Sequence, residues 1–201
     1  MQLLKLAQAL GVTGSLLLTA TTGAFASNRI QFPMAVSAGA KACLPHAAGL
    51  VTDVSVGPVE ELKVQVAGLP KNTDFDFFVI QDPVAPFGLS WYQGDIETDA
   101  HGEGSGYFIG RFSVETFIVA PNVTAAPLVF NNLPFPDASA NPKTGPVQLY
   151  HLGLWFNAPS DAAHAGCAPT VTPFNGTHNA GIQALNTANF PALRGPLFYL
   201  H

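Results

Sequence analysis

The sequence predicts an all-β protein: an antiparallel β-sandwich with one short helix and long loops. Three observations carry this expectation. Most periodic stretches alternate apolar and polar residues with period two, the mark of half-buried strands. Turn-forming clusters such as Gly68-Leu-Pro-Lys-Asn72, Asp82-Pro83, Pro134-Phe-Pro-Asp137 and Asn141-Pro142 separate them. Only two places have any helical character.

In chain order, the first segment is a short basic start ending at Lys5, an apolar run from Leu6 to Leu18, and Ala24-Phe25-Ala26. This small-x-small ending after an apolar core is the pattern of a signal peptide. Residues 1–26 are therefore expected to be a leader and 27–201 a single exported domain. The apolar run is too short and interrupted for a membrane span, and no second run follows, so no span is expected in the mature chain.

Expected strands come next. In Glu61–Ala67, Leu62, Val64 and Val66 face one way, with Lys63 and Gln65 opposite. In Asp74–Gln81, Phe75, Phe77 and Val79 share a face, with Asp76 on the other. Tyr107–Ile109, Phe112–Val119 and a long Val147–Phe156 follow, and Leu50–Val56 and Ala126–Phe130 are shorter. Ser160–Gly166 predicts one or two helical turns, with Ser160 as N-cap after Pro159 and Gly166 as stop. Gly181–Phe190 suits a helical turn or a last strand. Segments 131–146 and 168–180 are expected to be long loops.

The stretch Glu61–Ile80 carries a resemblance. Its Gly68-Leu69-Pro70-Lys71-Asn72-Thr73 turn, between an apolar strand and one bearing Phe75 and Phe77, resembles the strand-turn-strand of fibronectin type III and related immunoglobulin-like domains. The likeness covers about twenty residues and implies an immunoglobulin-like sandwich. The remainder, including Gly153–Cys167, resembles uncharacterised secreted bacterial proteins. Neither likeness implies catalysis.

Composition excludes some functions. Hydrophobic residues make up 48% and charged residues 10%, with fifteen phenylalanines, so a core forms and the chain is not of the disordered type. The net charge is −5, and about −6 once Lys5 leaves with the leader. Without a basic patch, nucleic acid is a poor partner. Cys43 and Cys167 are the only cysteines. In an exported chain they predict a disulfide, tying a segment before the first expected strand to one near the C-terminus.

The stretch Trp91–Phe112 raises three possibilities. As a calcium loop, Asp95, Glu97 and Asp99 fit the first three ligand positions of an EF-hand, but Ala100 and Gly106 stand where glycine and glutamate are required. As a phosphate cradle, Gly102-x-Gly104-x-Gly106 has the wrong spacing and no following helix. A hairpin fits best: Asp99 and Gly102 hold the first and fourth turn positions, Trp91–Thr98 and Glu103–Phe112 are the strands, and the bare glycine face admits a backbone or an aromatic ring.

Catalytic signatures are missing. None of the six histidines stand two, three or four apart, no nucleophile elbow is present, and the bridge consumes both thiols. No metal and no cofactor are expected. His151, within an apolar strand, reads as a satisfied sheet histidine. A carboxylate pair drawn from Asp95, Glu97, Asp99, Glu115 and Asp137 leaves an extracellular hydrolase as an alternative, and a structural protein stabilised by a cation at residues 95–99 is another. Asn122-Val-Thr124 and Asn175-Gly-Thr177 are glycosylation sequons. The preferred expectation is a non-catalytic binding module for a glycan or protein. Its contact residues are Trp91, Tyr92 and Asp95, because aromatic planes beside carboxylates suit stacking and hydrogen bonding. Trp155-Phe156-Asn157 shows the same pairing. Trp91 and Tyr92 should face opposite sides of their strand, leaving at least one away from the core.

Overall fold

A computed structural model of the chain describes residues 28–113, 118–119, 146–173, 178–192 and 194–200. The expected leader, the strand at 126–130, half of the 112–119 strand, the 131–145 loop and both sequons lie outside the described residues. Among the described residues there are twelve strands: β1 (Arg29–Val36), β2 (Ala48–Val56), β3 (Val59–Ala67), β4 (Asp74–Ile80), β5 (Ser90–Glu97), β6 (Gly104–Gly110), β7 (Ile118–Val119), β8 (Pro146–Val147), β9 (His151–Phe156), β10 (Thr172–Pro173), β11 (Asn179–Ala180) and β12 (Gln183–Asn186). One helix, α1, spans Pro159–His164, and a single 3-10 turn spans Pro196–Tyr199.

The all-β antiparallel architecture expected from the sequence is present. Eight strands form one continuous sheet in the order β5-β4-β9-β12-β1-β2-β3-β6, with the β7–β8 and β10–β11 pairs apart from it. The two outer strands, β5 and β6, are successive in the chain and share a single bridge, Thr98 to Gly104. The sheet therefore curls until its edges meet at one hairpin, a nearly closed barrel.

Alternation explains the interior. Leu62, Val64 and Val66 of β3 turn inward and are buried, while Lys63 and Gln65 stay outside. Phe75 and Phe77 meet Leu152, Leu154 and Phe156 from β9, all fully buried. Each such side chain contributes roughly 1.5–3 kcal/mol through removal from water. Asp76, on the other face of β4, is nevertheless only 2% exposed. The outer faces of β4 and β9 carry a second small core of Phe78, Ile80, Trp155 and Ala180, with Phe87 packed on it. Central strands here are buried on both faces, so period two alone does not report exposure.

The structure corrects several expectations. β1 is an additional strand, and Cys43 therefore lies between β1 and β2 rather than before the first strand. The long Val147–Phe156 strand is interrupted at residues 148–150, where β8 leaves to pair with β7. Gly181–Phe190 supplies strand β12. Ser160 is not the N-cap of α1. Ala158 takes that place without a side-chain bond and Pro159 opens the helix, where a missing N–H costs nothing.

The end of α1 sets the disulfide. The Gly166 N–H donates to Ala163 O at 3.0 Å and the Cys167 N–H to Ala162 O at 2.8 Å. These are the paired bonds of a Schellman cap, which turn the chain back and deliver Cys167 to Cys43. Their Cα atoms lie 5.2 Å apart and the bridge spans 124 residues. Among the described residues no helix is long and apolar enough to cross a membrane.

The Asp99–Gly102 turn forms as the sequence predicts. The Gly102 N–H donates to Asp99 O at 3.1 Å, and Gly102 has φ +79°, a conformation in which a side chain would be strained. Asp99 Oδ1 accepts the N–H groups of His101 at 2.8 Å and Glu103 at 3.0 Å. Those bonds hold its carboxyl below the usual carboxylate range. The expected strand partnership is the part that differs. Beyond the turn, β5 pairs with β4 and β6 with β3. The Phe108 ring fills the divergence, lying against Gly94 and Gly106 and stacking on Phe77 with centroids 5.0 Å apart.

Candidate binding site

The outer face of β4 and β5 gathers two of the three predicted contact residues, Tyr92 and Asp95. Register places Asp76 opposite Asp95 and Asp74 opposite Glu97. Directly opposed residues in an antiparallel pair have Cβ atoms about 4.5–5.5 Å apart, so four carboxylates share one small area. Asp161, at the start of α1, adds its charge near Asp74.

A bulge brings an aromatic ring to the same face. Phe77 pairs with Gly94, but Phe78 pairs with Tyr92, leaving Gln93 as an extra residue. Tyr92 and Asp95 stand three apart and would face opposite sides of a regular strand. One extra residue puts them on the same side. The Tyr92 hydroxyl then donates to Asp95 Oδ1 at 2.5 Å. Trp91 pairs with Val79 on the other face. Both rings are nevertheless exposed, Trp91 at 58% and Tyr92 at 41%. β5 is an outer strand that meets β6 only near the turn, so among the described residues no strand pairs with its first residues on that side.

The electrostatics follow from burial. Loss of hydration pushes Asp76 up to about 6, with the charges of Asp95 and Asp74 adding and His178 opposing. His178 Nε2 lies 3.7 Å from Asp76 Oδ2. Asp74 is raised as well, first by burial and then by Asp95. The Tyr92 hydroxyl is held well above its ordinary value by burial, by its bond to Asp95 and by the surrounding carboxylates. Asp76 therefore has a proton to give or keep near neutral pH.

Asp74, Asp76 and His178 were missing from the sequence-based site. The signal was present for the two acids: Asp74-Phe-Asp76 alternates as Asp95-Ile-Glu97 does, and matching alternation on paired strands makes one patch. Trp155 and Phe156, the other aromatic pair beside a polar residue, are core residues. They are 3% and 0% exposed, because β9 is a central strand. Of the other acids weighed for a pair, Asp99 caps the turn, and Glu115 and Asp137 lie outside the described residues.

His151 is the sheet histidine expected. Its Nδ1 is 2.9 Å from Thr187 Oγ1 and its Nε2 3.1 Å from Ala192 O. A second buried acidic pair, Asp53 and Glu60, sits across β2 and β3. Glu60 accepts the N–H groups of Phe112 and Ser113 and pairs with Arg111 Nε at 3.4 Å. Burial followed by the Glu60 charge pushes Asp53 up to about 7. Among the described residues no group of three or more His, Cys, Asp and Glu side chains is arranged to hold a metal ion. No protein-family model and no curated protein matches this chain.

Proposed function

We propose that the protein acts outside the cytoplasm as a non-catalytic binding module, with Trp91, Tyr92 and Asp95 at the centre of its contact surface. The observation that carries this reading is the exposure of two large aromatic rings, 58% and 41%, on an outer strand, with the Tyr92 ring on the face of a carboxylate cluster. Exposed aromatic planes with adjacent hydrogen-bonding groups are typical of contact surfaces. The Cys43–Cys167 bridge and the leader-like residues 1–26 support an oxidising, exported location. The ligand class is a glycan or a protein surface carrying hydroxyl or basic groups that complement the acids.

The test uses insoluble cell-wall and plant polysaccharides, with bound protein and released soluble sugar measured in the same tube. Binding without release, weakened in Trp91→Ala and Tyr92→Ala at unchanged melting temperature, is the expected outcome. Asp76, protonated near pH 6 and directly across from Asp95, favours a second reading as a carboxylate-dependent hydrolase. Sugar release abolished by Asp76→Asn would replace the first reading with the second.

A further inference from the structure

The buried pair Asp53 and Glu60 lies at one end of the barrel interior. Val51 and Asp53 of β2 turn inward, as do Glu60, Leu62, Val64 and Val66 of β3. Register sets their neighbours. Asp53 stands between Ile30 of β1 and Leu62 of β3, and Glu60 between Ser55 of β2 and Gly110 of β6. The two acids are therefore diagonal neighbours on one face, about 7–8 Å apart. Arg29, Glu61 and Lys63 alternate with them and belong to the outer face. Among the described residues, Glu60 is the charge that acts on Asp53.

Glu60 is a tether. Its Oε2 accepts the N–H groups of Phe112 and, at 2.9 Å, of Ser113, and its Oε1 meets Arg111 Nε at 3.4 Å. Arg111 also donates from Nη1 to Pro58 O at 3.1 Å, in the turn between β2 and β3. These bonds fasten Arg111–Ser113, the three residues after β6, to the β2–β3 hairpin. Phe112 belongs to the main core, and its ring lies against Gly110, where a Cβ would come within 2.9 Å. The tether thus keeps an apolar ring in place at the end of the barrel.

We infer that Asp53 is the trigger of a proton-operated latch: while it keeps its proton, Glu60 holds Arg111–Ser113 on the barrel, and its ionisation loosens that hold. Ionisation puts a second negative charge in an apolar row, with Arg111 already bonded to Glu60. Turning Glu60 outward rehydrates both acids and breaks its bonds to Phe112 and Ser113, while the sheet stays paired. The sign follows from burial. The closed form keeps the Asp53 proton up to about 7, against an ordinary 3.8. Closure is therefore complete in acid, weakens as pH rises towards 7 and changes little above it.

Amide exchange followed by ¹⁵N NMR reads the latch directly, because the Phe112 and Ser113 N–H groups are bonded to Glu60 itself. Rates in the native chain are corrected for intrinsic base catalysis and compared with those of Leu154, on the central strand β9. The opening constant at Phe112 and Ser113 should rise by about tenfold or more between pH 5 and 7, level off above, and outpace that at Leu154. In Asp53→Asn, which keeps the shape and cannot ionise, the excess should vanish. Carboxyl ¹³C shifts of the native chain give a measure free of mutation: Asp53 should titrate where the exchange curve levels off. An equal rise at Leu154 would make the pair a burden on the whole fold and overturn the latch. So would an excess that persists in Asp53→Asn, or an Asp53 midpoint below pH 5.

Discussion

Trp91 and Trp155 occupy similar sequence contexts, each beside a second aromatic residue and polar neighbours. Their fates are opposite: Trp91 is 58% exposed and Trp155 is 3% exposed. The difference lies in strand position. β5 ends the sheet, whereas β9 is flanked by β4 and β12 and covered on both faces. An aromatic residue on an outer strand is available for contact, and one on a central strand is structure, whatever its neighbours in sequence.

Four measurements sharpen or break that comparison. The largest effect belongs to the bridge, which fastens α1 directly after β9. Reduction, or Cys43→Ser with Cys167→Ser, should cost up to about 5 kcal/mol in the chain-entropy account. Tryptophan emission should shift to longer wavelength as Trp155 becomes wet, while Trp91 is wet already. An unchanged melting curve would remove the bridge from the account.

Next come the tryptophans themselves. Trp155→Ala should cost about 3–5 kcal/mol of unfolding free energy, and Trp91→Ala no more than about 0.5 kcal/mol. Equal losses in denaturant titrations would erase the distinction between the two strands.

The acidic face has a pH signature. Asp76 is held at about 6, above its ordinary 3.8, so the folded state binds its proton more firmly than the unfolded chain. The stability it contributes is complete below pH 3.8 and is lost as pH rises through 6. The full effect is at most about 3 kcal/mol. His151 works the other way: burial lowers its value, so its contribution is lost as pH falls below 6.5. The readout is therefore the unfolding free energy of the native chain minus that of Asp76→Asn, which should fall steadily from pH 4 to 7. A constant difference would place Asp76 in water. The smallest effect is Tyr92→Phe, which removes an exposed hydrogen bond to Asp95 and should cost less than about 1 kcal/mol while weakening ligand binding.

Much of this fold was legible because neighbouring residues decide it. The alternation of Leu62, Val64 and Val66 identifies β3, and Asp99 with Gly102 identifies the turn. Residues Arg29–Val36 also alternate in part, but Pro33 within the run obscures the strand, which the register with β2 then stabilises. The site was half legible. Trp91, Tyr92 and Asp95 stand together in sequence, but Asp76 and His178 reach them only through strand pairing and loop packing.

The sequence by itself determined the all-β class, the turn chemistry, the apolar face of alternating strands such as β3 and the cysteine pair. These depend on local sterics and on the side-chain period of an extended chain. Tertiary structure alone decided which strands are outer and which central, and the bulge at Gln93 that turns Tyr92 toward Asp95. It also packed an edge of the Trp155 ring and the Gln183 amide against Gly153. Strand order and register arise from pairings between segments far apart in the chain, and no local pattern encodes which surface such a pairing will cover.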